Sequence, residues 1–81
     1  MEKLLNRETI TFKWVELNDE TFKYIERKGS EYSINVLAMN DKGGILVGRI
    51  SKIEGYGYDL HGYLGGGLFN VKKYVLLKNL I

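Results

Sequence analysis

The sequence contains no cysteine and no proline, and only one histidine and one tryptophan. Without cysteine, disulfides, thiolate metal sites and thiol nucleophiles are all excluded. A domain this small in an oxidising compartment usually needs covalent staples, so their absence favours a reducing, cytoplasmic setting. Without proline, the turns have to come from Gly, Asn and Asp. Long apolar runs are missing too. The longest, Val36 to Met39 and Tyr74 to Leu77, fall far short of the ~20 residues that cross a bilayer as a helix. The opening Met-Glu-Lys-Leu-Leu-Asn-Arg has no signal-peptide hydrophobic stretch. No membrane partner is expected. One histidine and a few carboxylates are too few for a zinc site, so no metal and no cofactor are expected either.

The 81 residues are 44% hydrophobic and 27% charged, which is the balance of one small folded domain spanning 1–81, with 1–7 as an N-terminal arm. The net charge is only +2, but it is unevenly spread. Residues 1–31 carry seven acidic and six basic groups, whereas 32–81 carry three acidic and six basic, so the second segment is +3 by itself.

Along the chain, residues 9–17 alternate, with Ile10, Phe12 and Trp14 on one face and Thr9, Thr11 and Lys13 on the other. That is strand periodicity. Residues 19–28 admit two readings: a short helix capped by Asp19 and closed by Gly29, or a return strand with Phe22 and Tyr24 on one face. Tyr32, Ile34, Val36 and Ala38 share one side of a second strand. Asn40 to Gly44 reads as a hairpin loop and Ile45 to Ile53 as the returning strand. Gly48 within that strand signals a bulge, a bend or the close approach of another backbone. Nine of the ten glycines lie between 43 and 67, around a short strand expected at Tyr58 to Leu64. The last element, Leu68 to Ile81, reads either as a helix capped by Asn70 or as strand, helical turn and strand. Phe12, Trp14, Phe22 and Phe69 are expected in the core. The whole predicts a mainly β fold: a small antiparallel barrel or roll, SH3-like or OB-like in layout, with four to six strands and room for one short helix.

No catalytic set emerges. Asp59, His61 and Tyr63 share a strand face, and a carboxylate beside an imidazole can serve as a general-base dyad. However, no serine sits in a nucleophile-elbow pattern. The glycines fit neither a phosphate-binding loop nor a dinucleotide fingerprint. Gly65-Gly66-Gly67 reads as a flexible connection before it reads as an anion nest. A non-enzymatic protein-binding module is the leading expectation: an adaptor, a small inhibitor or an assembly component. Tyr56, Tyr58 and Tyr63 would be the anchors, and Gly65, Gly66 and Gly67 would allow close approach, with self-association as a sub-case. The alternative is a nucleic-acid-binding domain. In it Arg49, Lys52, Lys72 and Lys73 would meet phosphates and the same tyrosines would stack on bases.

Overall fold

The computed structural model describes residues 13–80. The arm at 1–7 and the Ile10 and Phe12 half of the first expected strand lie outside the described residues. The elements are β1 (Val15–Glu16), α1 (Asp19–Phe22), β2 (Tyr32–Asn40), β3 (Ile45–Ile53), β4 (Gly57–Gly62), β5 (Gly67–Leu68) and β6 (Val71–Leu76), followed by a 3-10 turn (Leu77–Leu80). The six strands form one antiparallel sheet in the order β1-β6-β2-β3-β4-β5. The domain is thus mainly β with one small helix, as the alternation predicts. The sheet is open, with β1 and β5 as its edges, and does not close into a barrel.

The ambiguous segment at 19–28 resolves into a single helical turn. The cap is Asn18, one residue earlier than expected. Its Oδ1 accepts from the backbone N–H groups of Glu20 and Thr21, each at 2.9 Å, and the Thr21 hydroxyl accepts from the Asn18 N–H. This reciprocal capping box satisfies orphan donors that a four-residue helix cannot satisfy internally. After α1 the chain turns so that Ile25 is buried, and the Ile25 carbonyl receives the Ile34 N–H at 2.9 Å.

At the other end of the chain, 71–76 is a strand that runs into a 3-10 turn, with no further strand among the described residues. Asn70 is not a helix cap. It adopts a left-handed backbone, φ 61°, which Asn tolerates better than most residues.

One face of the sheet carries the core. Val36, Ala38, Ile50, Leu60 and Tyr74 are almost fully buried there, joined by Leu17, Ile25, Tyr58 and Val71. Burying each of the larger aliphatic side chains, Val36, Ile50 and Leu60, contributes about 1.5–3 kcal/mol. α1 follows edge strand β1, yet it reaches β4: the Phe22 and Tyr58 rings lie 5.4 Å apart, and the Tyr58 hydroxyl donates to Asp19. The sheet is therefore strongly curled around this core. The Tyr74 hydroxyl donates to the Thr21 carbonyl at 2.8 Å and holds the helical turn down.

Two expectations about side-chain placement are corrected. Phe69 is largely exposed and is not a core residue. Tyr32 does not share a face with Val36 and Ala38. The pairing of β2 with β3 slips between Tyr32 and Asn35, so an extra residue shifts the side-chain alternation. Tyr32 is thereby turned to the second face, and Ile34 is left partly exposed. Buried Ser33 sits in the slip. Its Oγ donates to the Ile34 carbonyl at 2.7 Å and accepts from the Ile50 N–H at 2.9 Å, repairing the broken ladder. Gly48 marks the close backbone approach suggested by its position. A Cβ there would lie 2.1 Å from the His61 carbonyl oxygen, so no larger residue fits between β3 and β4.

Candidate functional site

The register determines what the second face of the sheet presents. Asn35 pairs with Arg49, and Arg49 with His61, forming a polar row across β2, β3 and β4. One step along, Leu37 pairs with Val47, and beyond them Met39 pairs with Ile45. Because alternate residues share a face, the polar row and the apolar rows lie side by side on one surface.

The polar part is organised around Arg49. Its guanidinium lies over the Tyr32 ring, 4.7 Å from the centroid, an orientation worth about 0.5–1 kcal/mol at an exposed site. The Tyr32 ring in turn meets the His61 ring edge-on, with centroids 5.2 Å apart. Thus the β-bulge that moves Tyr32 to this face supplies the support that holds Arg49. Arg27, Asn35, Arg49, Gly62 and Tyr63 line a concavity of about 350 Å³. Its lining thus brings together two arginines, an asparagine and a tyrosine. Among the described residues, neither Arg27 nor Arg49 makes an ion pair.

The apolar part begins on the other side of Tyr63. Leu37, Ile45, Leu46 and Val47, together with Tyr63 and Leu64, line a groove of about 500 Å³. Tyr63 is 69% exposed and Leu64 is 93% exposed. Both sit in the tight loop between β4 and β5. That loop closes through Gly62 N–H to the Gly66 carbonyl, 2.9 Å, and Gly65 N–H to the Gly62 carbonyl, 3.2 Å. Gly65 and Gly66 have φ of 111° and 74°, which L side chains rarely adopt. The glycines therefore build a compact turn that starts with the Tyr63 N–H still donating to the Val47 carbonyl at 2.9 Å and leaves the Tyr63 and Leu64 side chains exposed.

The three tyrosines considered from sequence are separated. Tyr63 stands at the junction of the two concavities, with Gly65, Gly66 and Gly67 behind it. Tyr56 is exposed in the β3–β4 turn, at the far end of β4, about 20 Å away at ~3.3 Å per strand residue. Tyr58 points into the core, only 9% exposed. Burial and its hydrogen bond to Asp19 push the Tyr58 phenol up to about 12. The same hydrogen bond and the Lys52 ammonium hold Asp19 below its ordinary value.

The four basic residues are also dispersed. Arg49 lies on the second face. Lys52 is an odd number of residues further along β3 and pairs with Asp19 at 3.0 Å, on the side of α1. Lys72 and Lys73 border a separate concavity with Met39 and Asp41. Lys73 pairs with Met39 while Arg49 pairs with Asn35, which separates them by about 16 Å at ordinary strand spacings, with the Leu37–Val47 strip between.

Asp59 and His61 share the second face, but they are not joined. Asp59 accepts the Asn70 N–H at 3.1 Å, and the Asn70 side chain donates to Asp41 at 2.7 Å. His61 Nε2 lies 3.4 Å from Ser51 Oγ instead. Among the described residues, no cluster of three or more His, Asp or Glu side chains is arranged to hold a metal ion. No helix among them is long and apolar enough to cross a membrane.

Sequence reasoning missed Arg27, Asn35, Leu37, Ile45, Val47 and Leu64. One signal was available: Ile45, Leu46 and Val47 are consecutive and apolar, so β3 has to be apolar on both faces there. Comparison with protein-family models, with curated proteins and with solved structures found no match to this chain.

Proposed function

We propose that the domain is a small, non-enzymatic protein-binding module that engages its partner through the second face of the sheet around Tyr63. The observation that supports this reading is the apolar groove walled by exposed Tyr63 and Leu64. An exposed Tyr beside a desolvated apolar pocket is the usual composition of a protein-binding anchor. Backbone bonds close its glycine-built loop and tie the Tyr63 N–H to the Val47 carbonyl, so the backbone under the anchor is already ordered before binding. As for layout, a β2–β3–β4 meander with the last long strand returning beside the first supports the SH3-like or OB-like roll expected from the sequence.

The nucleic-acid reading has less support. Its four basic residues do not share a surface, and Lys52 is paired with Asp19. The two readings separate by salt. Panning a displayed random-peptide library against the purified domain should enrich peptides that stay bound at moderate salt. Binding should be lost in the Tyr63→Ala/Leu64→Ser double variant. Both side chains are exposed, so its stability should stay within about 0.5 kcal/mol of wild type. Tight binding of labelled oligonucleotides that weakens steeply with salt, with no peptide enriched, would replace this reading by the alternative.

A further inference from the structure

The concavity at Arg27 and Arg49 contributes a feature that an apolar docking groove alone does not need. Arg27 and Arg49 both line it together with Asn35 and Tyr63, and no acidic side chain among the described residues forms an ion pair with either arginine. Arg49 is already oriented by the Tyr32 ring, so its planar fork is held ready. Guanidinium forks match a carboxylate in bidentate geometry, and an amide N–H adds a further donor to the same anion. Tyr63 lines both this concavity and the apolar groove, so the two are contiguous.

Resting on the protein-binding reading, we infer that this concavity is a carboxylate seat, and that the partner is an extended peptide bearing an acidic side chain next to an apolar one. The spacing follows from the register. The Asn35–Arg49 row and the Leu37–Val47 row are two residues apart along both strands. That is about 7 Å at ~3.3 Å per residue. An extended peptide presents residues i and i+2 on one side at that same separation. The recognised element is therefore an Asp or Glu and a Leu, Ile or Phe with one residue between them, in either order. Charge complementarity selects the first position, and groove shape selects the second.

The test is the composition of peptides selected from an unbiased displayed library, followed by fluorescence anisotropy of the enriched peptides on purified variants. The expected result is enrichment of an acidic residue two positions from a large apolar one. Arg49→Gln and Arg27→Gln should each weaken such a peptide by about tenfold or more, as should Glu→Gln in the peptide itself. Arg49→Lys should restore only part of the affinity, because a point charge lacks the fork. Both arginines are exposed, and circular dichroism should show each variant folded.

Enriched peptides that are purely apolar, lose binding with Tyr63→Ala and ignore both arginine variants would overturn the carboxylate seat while leaving the protein-binding reading intact. No enrichment of any peptide would remove both. Enrichment only of phosphorylated peptides from a phosphopeptide library, or binding of oligonucleotides abolished by the same two variants, would overturn the carboxylate assignment in favour of phosphate.

Discussion

At the scale of single residues, the same amino-acid type has three different roles here, and only the local environment distinguishes them. Tyr58 is a core residue whose hydroxyl donates to Asp19, Tyr32 is a platform under Arg49, and Tyr63 is an exposed anchor. Their type is visible in the sequence, but their orientation is not. The alternation Tyr58, Leu60, Gly62 against Asp59, His61, Tyr63 did divide β4 correctly into two faces. It could not say which face the core would take, because both contain aromatics. Tyr58 yields a pH prediction. Its folded-state ionisation lies at about 12, above the ordinary 10.0, because burial and Asp19 disfavour the phenolate. Below the unfolded value the phenol is neutral in both states, and its contribution to stability is complete. As pH rises through the folded value, that contribution is lost. Asp19 works in the opposite sense. Its depressed value gives stability above 3.8 that disappears as pH falls through the folded value. Tyr58→Phe should therefore unfold at a lower temperature than wild type at neutral pH, and the gap should narrow at both extremes. Tyr74 is also shifted upward, but it titrates in both proteins and cancels in the comparison. Thermal midpoints measured across pH check this; a gap that persists unchanged at alkaline pH would show that the difference is independent of Tyr58 ionisation, and no gap at neutral pH would show that the hydroxyl contributes nothing.

At the scale of elements, the β2–β3 hairpin was the part most legible in the sequence. Alternation before Asn40 and after Gly44 located both strands, and the loop chemistry located the turn. Asn40 Oδ1 accepts from the Lys42 and Gly44 N–H groups, which is why Asn suits that position. What was not legible was the slip at Ser33. A bulge adds one residue without changing composition, so a period-2 reading carries Tyr32 onto the wrong face. The short helix was ambiguous for a related reason. Its four residues contain too little periodicity to outweigh the β-prone Thr21 and Phe22, and a capping box at Asn18 decided the outcome. The bulge gives the second prediction. Ser33→Ala leaves the buried Ile50 N–H without a partner and should destabilise the fold by about 1–3 kcal/mol. Because the bulge also turns Tyr32 under Arg49, this variant should weaken the acidic-apolar peptides more than the purely apolar ones. Denaturant melts and the anisotropy assay read these two effects separately.

At the scale of the whole molecule, one face of a curled sheet is committed to the core, and the second carries contiguous polar and apolar concavities. Among the described residues, Leu37, Val47 and Ile45 stand together on the face opposite the main core, the kind of apolar surface that marks an interaction site. The sequence hinted at this surface through Tyr63 and the glycines behind it. It could not reveal Arg27, which lies 36 residues before Tyr63 and reaches the site only through the tertiary fold. The most direct test is an amide-resolved NMR titration of the labelled domain with an enriched peptide. The expected result is a set of shifts confined to the β2–β3–β4 surface: Asn35, Leu37, Val47, Arg49, Tyr63 and Leu64. Shifts centred instead on the β3–β4 turn around Tyr56, or on α1 around Asp19, would place the binding surface elsewhere and contradict the role assigned to the second face.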